Sequence, residues 1–93
     1  MIAKRLKEAR LNAKLTQEKL GVLAGLEEAS SSSRLSHYEN GTHKPTFELT
    51  CAFAKILDVP ECYFYIIDDA FAEKVLKLYR DADNKNHYDY NMT

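Results

Sequence analysis

The chain is poor in the residues that build metal centres, phosphate loops and membrane spans. Its two cysteines, Cys51 and Cys62, have no Cys-x-x-Cys or His-x-x-His companion, so neither points to a metal. Both read as small apolar residues in or near the core. No signal-peptide pattern and no long apolar run occurs, so the expected setting is a reducing cytoplasm without a membrane partner. Only three glycines are present, Gly21, Gly25 and Gly41, and none belongs to a phosphate-binding loop. Serine, histidine and aspartate all occur, yet no spacing holds a nucleophile beside a base; neither an enzyme nor a cofactor is expected. Strand-like alternation, internal repeats and interdomain linkers are likewise missing. At 93 residues the chain makes one small domain with a modest helical core and no room for a separate ligand-sensing domain.

What is there is helical periodicity, punctuated by caps. Ile2, Leu6, Ala9 and Ala13 fall on one face of a first helix, with Lys4, Arg5, Lys7 and Lys14 mostly on others. Thr16 can cap a second helix, in which Leu20, Leu23 and Ala24 share a face, and Gly25 supplies the positive φ of a sharp exit. A third helix packs Leu35 and Tyr38 inward and stops at Gly41, leaving Ser32, Ser33, Arg34, Ser36 and His37 outward. The run Ser30 to Ser33 suggests that this helix begins within or just before it, because serine caps helices well and propagates them poorly. Thr46 caps a fourth helix carrying Phe47, Thr50, Phe53, Ala54 and Leu57, with a second stripe of Leu49, Ala52 and Ile56 that another element must cover. Pro60 starts a short fifth helix to Ile67. A sixth, from Asp68 or Asp69, repeats Phe71, Val75, Leu78 and Tyr79.

Helix, glycine turn and helix over Leu15 to Gly41 form the outline of a helix-turn-helix, which reads double-stranded DNA by placing its second helix in the major groove. From Ile2 to Tyr65 the chain also resembles the phage-repressor and Cro-like, Xre-type helix-turn-helix regulators. The marks are Arg10, Leu15-Thr16-Gln17-Glu18, Ala24-Gly25, Tyr38-Glu39-Asn40-Gly41 and Lys44-Pro45-Thr46. The resemblance implies an all-α, compact five-helix repressor-like domain with an additional C-terminal helix. It places the DNA-binding domain at 1–67, with the helix-turn-helix at about 16–40. The C-terminal helix at 68–84 then serves packing or dimerisation, followed by a flexible tail at 85–93.

By the same resemblance Ser32, Ser33, Arg34 and His37 face bases, while Thr16, Gln17, Asn40, Thr42 and Lys44 hold phosphates. His43 either touches phosphate or faces solvent. Arg10 and Glu39 form a supporting pair. Arg34 is the side chain of the third helix able to make a bidentate contact with guanine. Gly21 stands where the family usually has alanine, and the stretch from Gly25 to Gly41 is about four residues longer than usual. Those residues either add about one turn to the recognition helix or loop out over Leu26 to Ala29; Glu27 and Glu28 favour the helix, since carboxylates suit a helix N-terminus.

The net charge of −1 hides a split: residues 1–44 carry eight Lys or Arg against five Asp or Glu, and residues 45–93 carry five against nine. The basic half coincides with the helix-turn-helix, where phosphate attraction is needed. The expected function is a homodimeric transcriptional repressor on a palindromic operator, with an interface formed by Tyr63, Phe64, Tyr65, Phe71, Val75 and Tyr79. A second reading keeps the fold and makes the chain an antitoxin, whose acidic half and tail meet a toxin.

Overall fold

Alternation of apolar stripes with capping residues cuts the chain into short helices, each needing its neighbours to cover one face. A computed structural model describes residues 1–86. It contains α1 (Ala3–Asn12), α2 (Gln17–Leu23), α3 (Glu28–Glu39) and α4 (Phe47–Leu57), then a 3₁₀ turn (Glu61–Tyr65) and α5 (Asp69–Asn86). There is no strand among the described residues. The anticipated fifth helix is thus a 3₁₀ turn, too short after Pro60 to settle into α geometry. The sixth is α5. It runs two residues beyond the expected boundary at 84, and the rest of the anticipated tail, from residue 87, lies outside the described residues.

Caps set the boundaries. The Thr16 hydroxyl accepts from the Lys19 N–H at 3.0 Å and the Thr46 hydroxyl from the Leu49 N–H at 3.1 Å. Asp68 does the same for α5, accepting from the Phe71 N–H at 2.7 Å. Gly25 and Gly41, with φ of 100° and 82°, supply the left-handed backbone that ends α2 and α3. Asp58 takes that conformation after α4 with φ of 58°.

Leu6, Leu20, Leu35, Phe53, Phe64 and Ala72 are completely buried, one or more from every helix and from the 3₁₀ turn. The second stripe of α4 is half-buried, with Leu49 and Ile56 packed against this core. The amide of Ile2 donates to the Phe64 carbonyl at 2.7 Å, closing the N-terminus onto the 3₁₀ turn.

Several inward assignments change. Leu23 is exposed because the face α2 presents to α3 runs through Leu20 and Gly21. Ala13 lies beyond the end of α1 and is exposed. Cys51 is half-buried and Cys62 exposed, so the second is not a core residue. Tyr63 and Phe64, assigned to a subunit interface, are 1% and 0% exposed inside the monomer and fill the core instead. Their neighbour Tyr65 faces outward, as three successive aromatics cannot share one face.

Candidate nucleic-acid interface

Helix α3 stands where it does because α2 comes close to it at Gly21. A Cβ built on Gly21 would lie 1.8 Å from Ser31 Oγ and 3.0 Å from Leu35 Cδ2. An alanine here would have to displace the Ser31 hydroxyl and crowd Leu35, which accounts for the glycine at this position. Ser31 is buried, and its hydroxyl donates to the Glu18 carbonyl of α2 at 2.8 Å. The helix starts just before the serine run, as expected, but Ser31 within the run packs inward. Helix α3 begins at Glu28 without a side-chain cap, so of Leu26 to Ala29 the last two lie in the helix and the first two lead into it. Its first turn carries Glu28 and Ala29.

At the other end α3 is held by an ion pair. Arg10 Nε and Nη2 donate to the two Glu39 carboxylate oxygens at 2.6 and 3.1 Å, and Arg10 Nη1 donates to the Leu15 carbonyl at 2.8 Å. The two side chains are 9% and 4% exposed. Gln17 Nε2 adds a donor to Glu39 Oε1 at 3.1 Å. A buried carboxylate with three donors is fully compensated, whereas removal of either charged partner strands the other.

Outside these anchors Ser32, Ser33 and Arg34 are exposed along α3. The Arg34 guanidinium lies along the helix toward its C-terminus, with Nη2 donating to the Tyr38 hydroxyl at 2.8 Å and its carbon 5.9 Å from the Tyr38 ring centroid. Nη1 and Nε are left for another acceptor. His37 is only half-exposed and meets the His43 ring edge-on at 4.8 Å, while the His43 amide donates to the His37 carbonyl. The two imidazoles thus fix the turn after α3 against its last turn.

The expected phosphate contacts form two groups. Thr16 and Gln17 sit together at the start of α2: the Thr16 oxygen accepts as a cap, leaving its O–H able to donate, and Gln17 Nε2 keeps one proton beyond its bond to Glu39. Asn40, Thr42 and Lys44 gather at the exit of α3. There Asn40 Oδ1 accepts from both the Thr42 amide and the Thr42 hydroxyl, at 2.9 and 2.5 Å. Both Thr42 donors are spent on Asn40, so Thr42 braces this edge and the Asn40 NH₂ and Lys44 are the donors it offers.

The charge split narrows in three dimensions, because two of the basic-half arginines point inward. Arg10 is committed to Glu39, and Arg5, which the pattern of α1 put on an outward face, is 2% exposed. Arg5 Nε and Nη2 donate to the Ile66 carbonyl at 3.1 and 2.8 Å, Nη2 reaches the Ile67 carbonyl at 3.1 Å, and Nη1 lies 2.8 Å from Asp69 Oδ1. Lys4 Nζ is 2.9 Å from the same carboxylate oxygen. Hydrogen bonds from Lys4 and Arg5 hold the Asp69 carboxyl below the usual carboxylate range. The Cys51 thiol is pushed up by burial and by Glu61 and Glu48, keeping it protonated at neutral pH.

Helix α5 touches the core through Ala72 and Leu76, not through the stripe its sequence advertised. Phe71 and Leu78 are exposed, and Val75 and Tyr79 half-exposed. Phe71 and Leu78 are left uncovered by the described residues, and Tyr65 and Ile67, in the segment before α5, are exposed as well. No described helix is long and apolar enough to cross a membrane.

Residues 2–62 match the family described as helix-turn-helix domain. Among solved structures, the crystal structure of transcriptional regulator BswR is 39% identical in sequence and superposes with a TM-score of 0.83, covering 85% of this chain and 78% of that one. Comparison with curated protein sequences finds no match.

Proposed function

The chain belongs to the helix-turn-helix domain family, and from that premise we propose that it is a sequence-specific, homodimeric transcriptional repressor acting on a palindromic operator. One observation carries the reading: α3 presents Ser32, Ser33 and Arg34 to solvent while Gly21, Ser31, Arg10 and Glu39 fix its other side to the body. A groove-reading helix needs that combination of a small polar surface and a rigid mount. In this reading the N-terminal part of α3 enters the major groove. Arg34 leaves Tyr38 to contact guanine, worth about 1–3 kcal/mol of discrimination. Ser32 and Ser33 read bases less selectively, and His37 reaches the groove edge while packed on His43. Phosphates are held at one edge by Thr16, Gln17 and the amides opening α2, and at the other by Asn40 and Lys44, with Thr42 as brace.

Dimerisation is supported by the exposed Phe71 and Leu78 of α5 and by the exposed Tyr65 and Ile67 before it, since apolar patches rimmed by charge mark interfaces. A two-fold pair on α5 would hold the recognition helices about one DNA turn apart, some 34–36 Å. Repression is the mode that requires site occupancy alone.

The test is selection of bound sequences from random duplex DNA, with the solution mass measured by sedimentation. A palindromic consensus and a dimeric mass are expected. A monomer without sequence preference overturns the reading.

A further inference from the structure

We infer that Arg5, acting through Asp69, is a positioning residue for operator spacing, locking α5 so that the two recognition helices of a dimer keep one separation. This rests on the dimer reading above. The apolar seat of α5 is narrow. Of its 18 residues, Ala72 and Leu76 are the apolar ones buried, and two adjacent turns can act as a pivot. Charged grips flank that pivot. On one side Arg5 and Lys4 hold Asp69 in the first turn, with Arg5 also donating to the carbonyls of Ile66 and Ile67 in the connecting segment. On the other, Arg80 Nε donates to the Asp58 carbonyl at 3.2 Å.

Leverage makes these grips matter. With the paired α5 helices held to each other, each body, 30 Å across its middle axis, turns about this seat, and a turn of about 10° carries a point about 15 Å away through about 2.6 Å. One base-pair step is about 3.4 Å. Two such turns, one in each subunit, are too small to unfold anything yet shift the half-site separation by about 5 Å, more than a base pair. Arg5 suits the task because its buried guanidinium is fixed by main-chain carbonyls before it meets Asp69, leaving the carboxylate little choice of direction.

The experiment uses the full chain and duplexes carrying the two selected half-sites at separations stepped by one base pair. The wild type is expected to prefer its best spacing over the next by about tenfold, and Asp69→Asn to reduce that ratio to about threefold or less, because a swinging linkage spreads effective concentration over several spacings. Asp69→Asn should remain folded and dimeric and bind a single half-site as the wild type does. Asp69→Glu restores the preference. Arg80→Ala, which loosens the other grip, broadens the profile in the same direction. A folded, dimeric Asp69→Asn protein with the wild-type profile overturns the inference while leaving the dimer reading intact. A monomeric wild type overturns both.

Discussion

Helix α3 and helix α5 are attached to the same body by different physics. Between α2 and α3 the contact is close to backbone distance, set by a glycine with no room for a methyl group, a buried serine hydroxyl and an ion pair almost free of solvent. The seat of α5 is an alanine and a leucine, flanked by charged side chains, with Asp69 largely exposed. Sterically determined contacts have one solution and resist salt and pH; charge-flanked ones adapt and respond to both. The helix proposed to read DNA has the first kind of mount. The helix proposed to assemble subunits has the second.

The contrast is broken most directly at Glu39. Glu39→Ala leaves Arg10 buried and unpaired, and a loss of about 3–5 kcal/mol is expected in thermal or urea unfolding. A change under about 1 kcal/mol would mean that the pair does not hold α3. Gly21→Ala should cost about 2 kcal/mol, overpacking outweighing the gain in helix propensity. Combining it with Ser31→Ala, which removes the clashing oxygen, should recover about 1 kcal/mol relative to the sum of the single changes. Strict additivity in that cycle would show that α2 and α3 relax apart freely.

On the outward side of α3 the expectation inverts. Arg34→Ala should leave the melting curve nearly in place, yet weaken the preferred site by about 1–3 kcal/mol more than random DNA. Equal weakening on both would take Arg34 out of base reading. The smallest effect belongs to α5. Because the folded Asp69 carboxyl titrates below its ordinary value, its contribution is present above about pH 4 and is lost as pH falls through the folded value. The wild type should thus melt higher than Asp69→Asn at pH 7, with the gap narrowing as the pH falls below about 4. A gap that persists in acid would trace to packing instead of charge.

The sequence announced its helices through short-range chemistry. Thr16 and Thr46 cap where a threonine before an apolar stripe should, Gly25 and Gly41 take positive φ, and Pro60 stops α4. Arg10 and Glu39 were legible only through resemblance, since nothing local links residues so far apart. Arg5 was not legible at all, because its acceptors are main-chain carbonyls some sixty residues away, which no side-chain pattern encodes. Periodicity located the stripe of α5 but not which neighbouring stripe faced the core: a small alanine lets the helix sit close, whereas Phe71 would hold it off. The serine run marked where the helix starts but hid the inward role of Ser31, because a buried serine whose hydroxyl meets a carbonyl on another helix looks, in sequence, like a cap.

The fit between Gly21 and Ser31 also bears on how such a chain can change over generations. An alanine at position 21 is one nucleotide away from any glycine codon, yet that step costs stability while the serine hydroxyl occupies the space. The reverse order is open: a lineage that first replaces Ser31 with a smaller residue, losing one hydrogen bond, can afterwards accept alanine at 21. The two positions should therefore drift as a pair, with alanine at 21 beside serine at 31 the combination rarely reached.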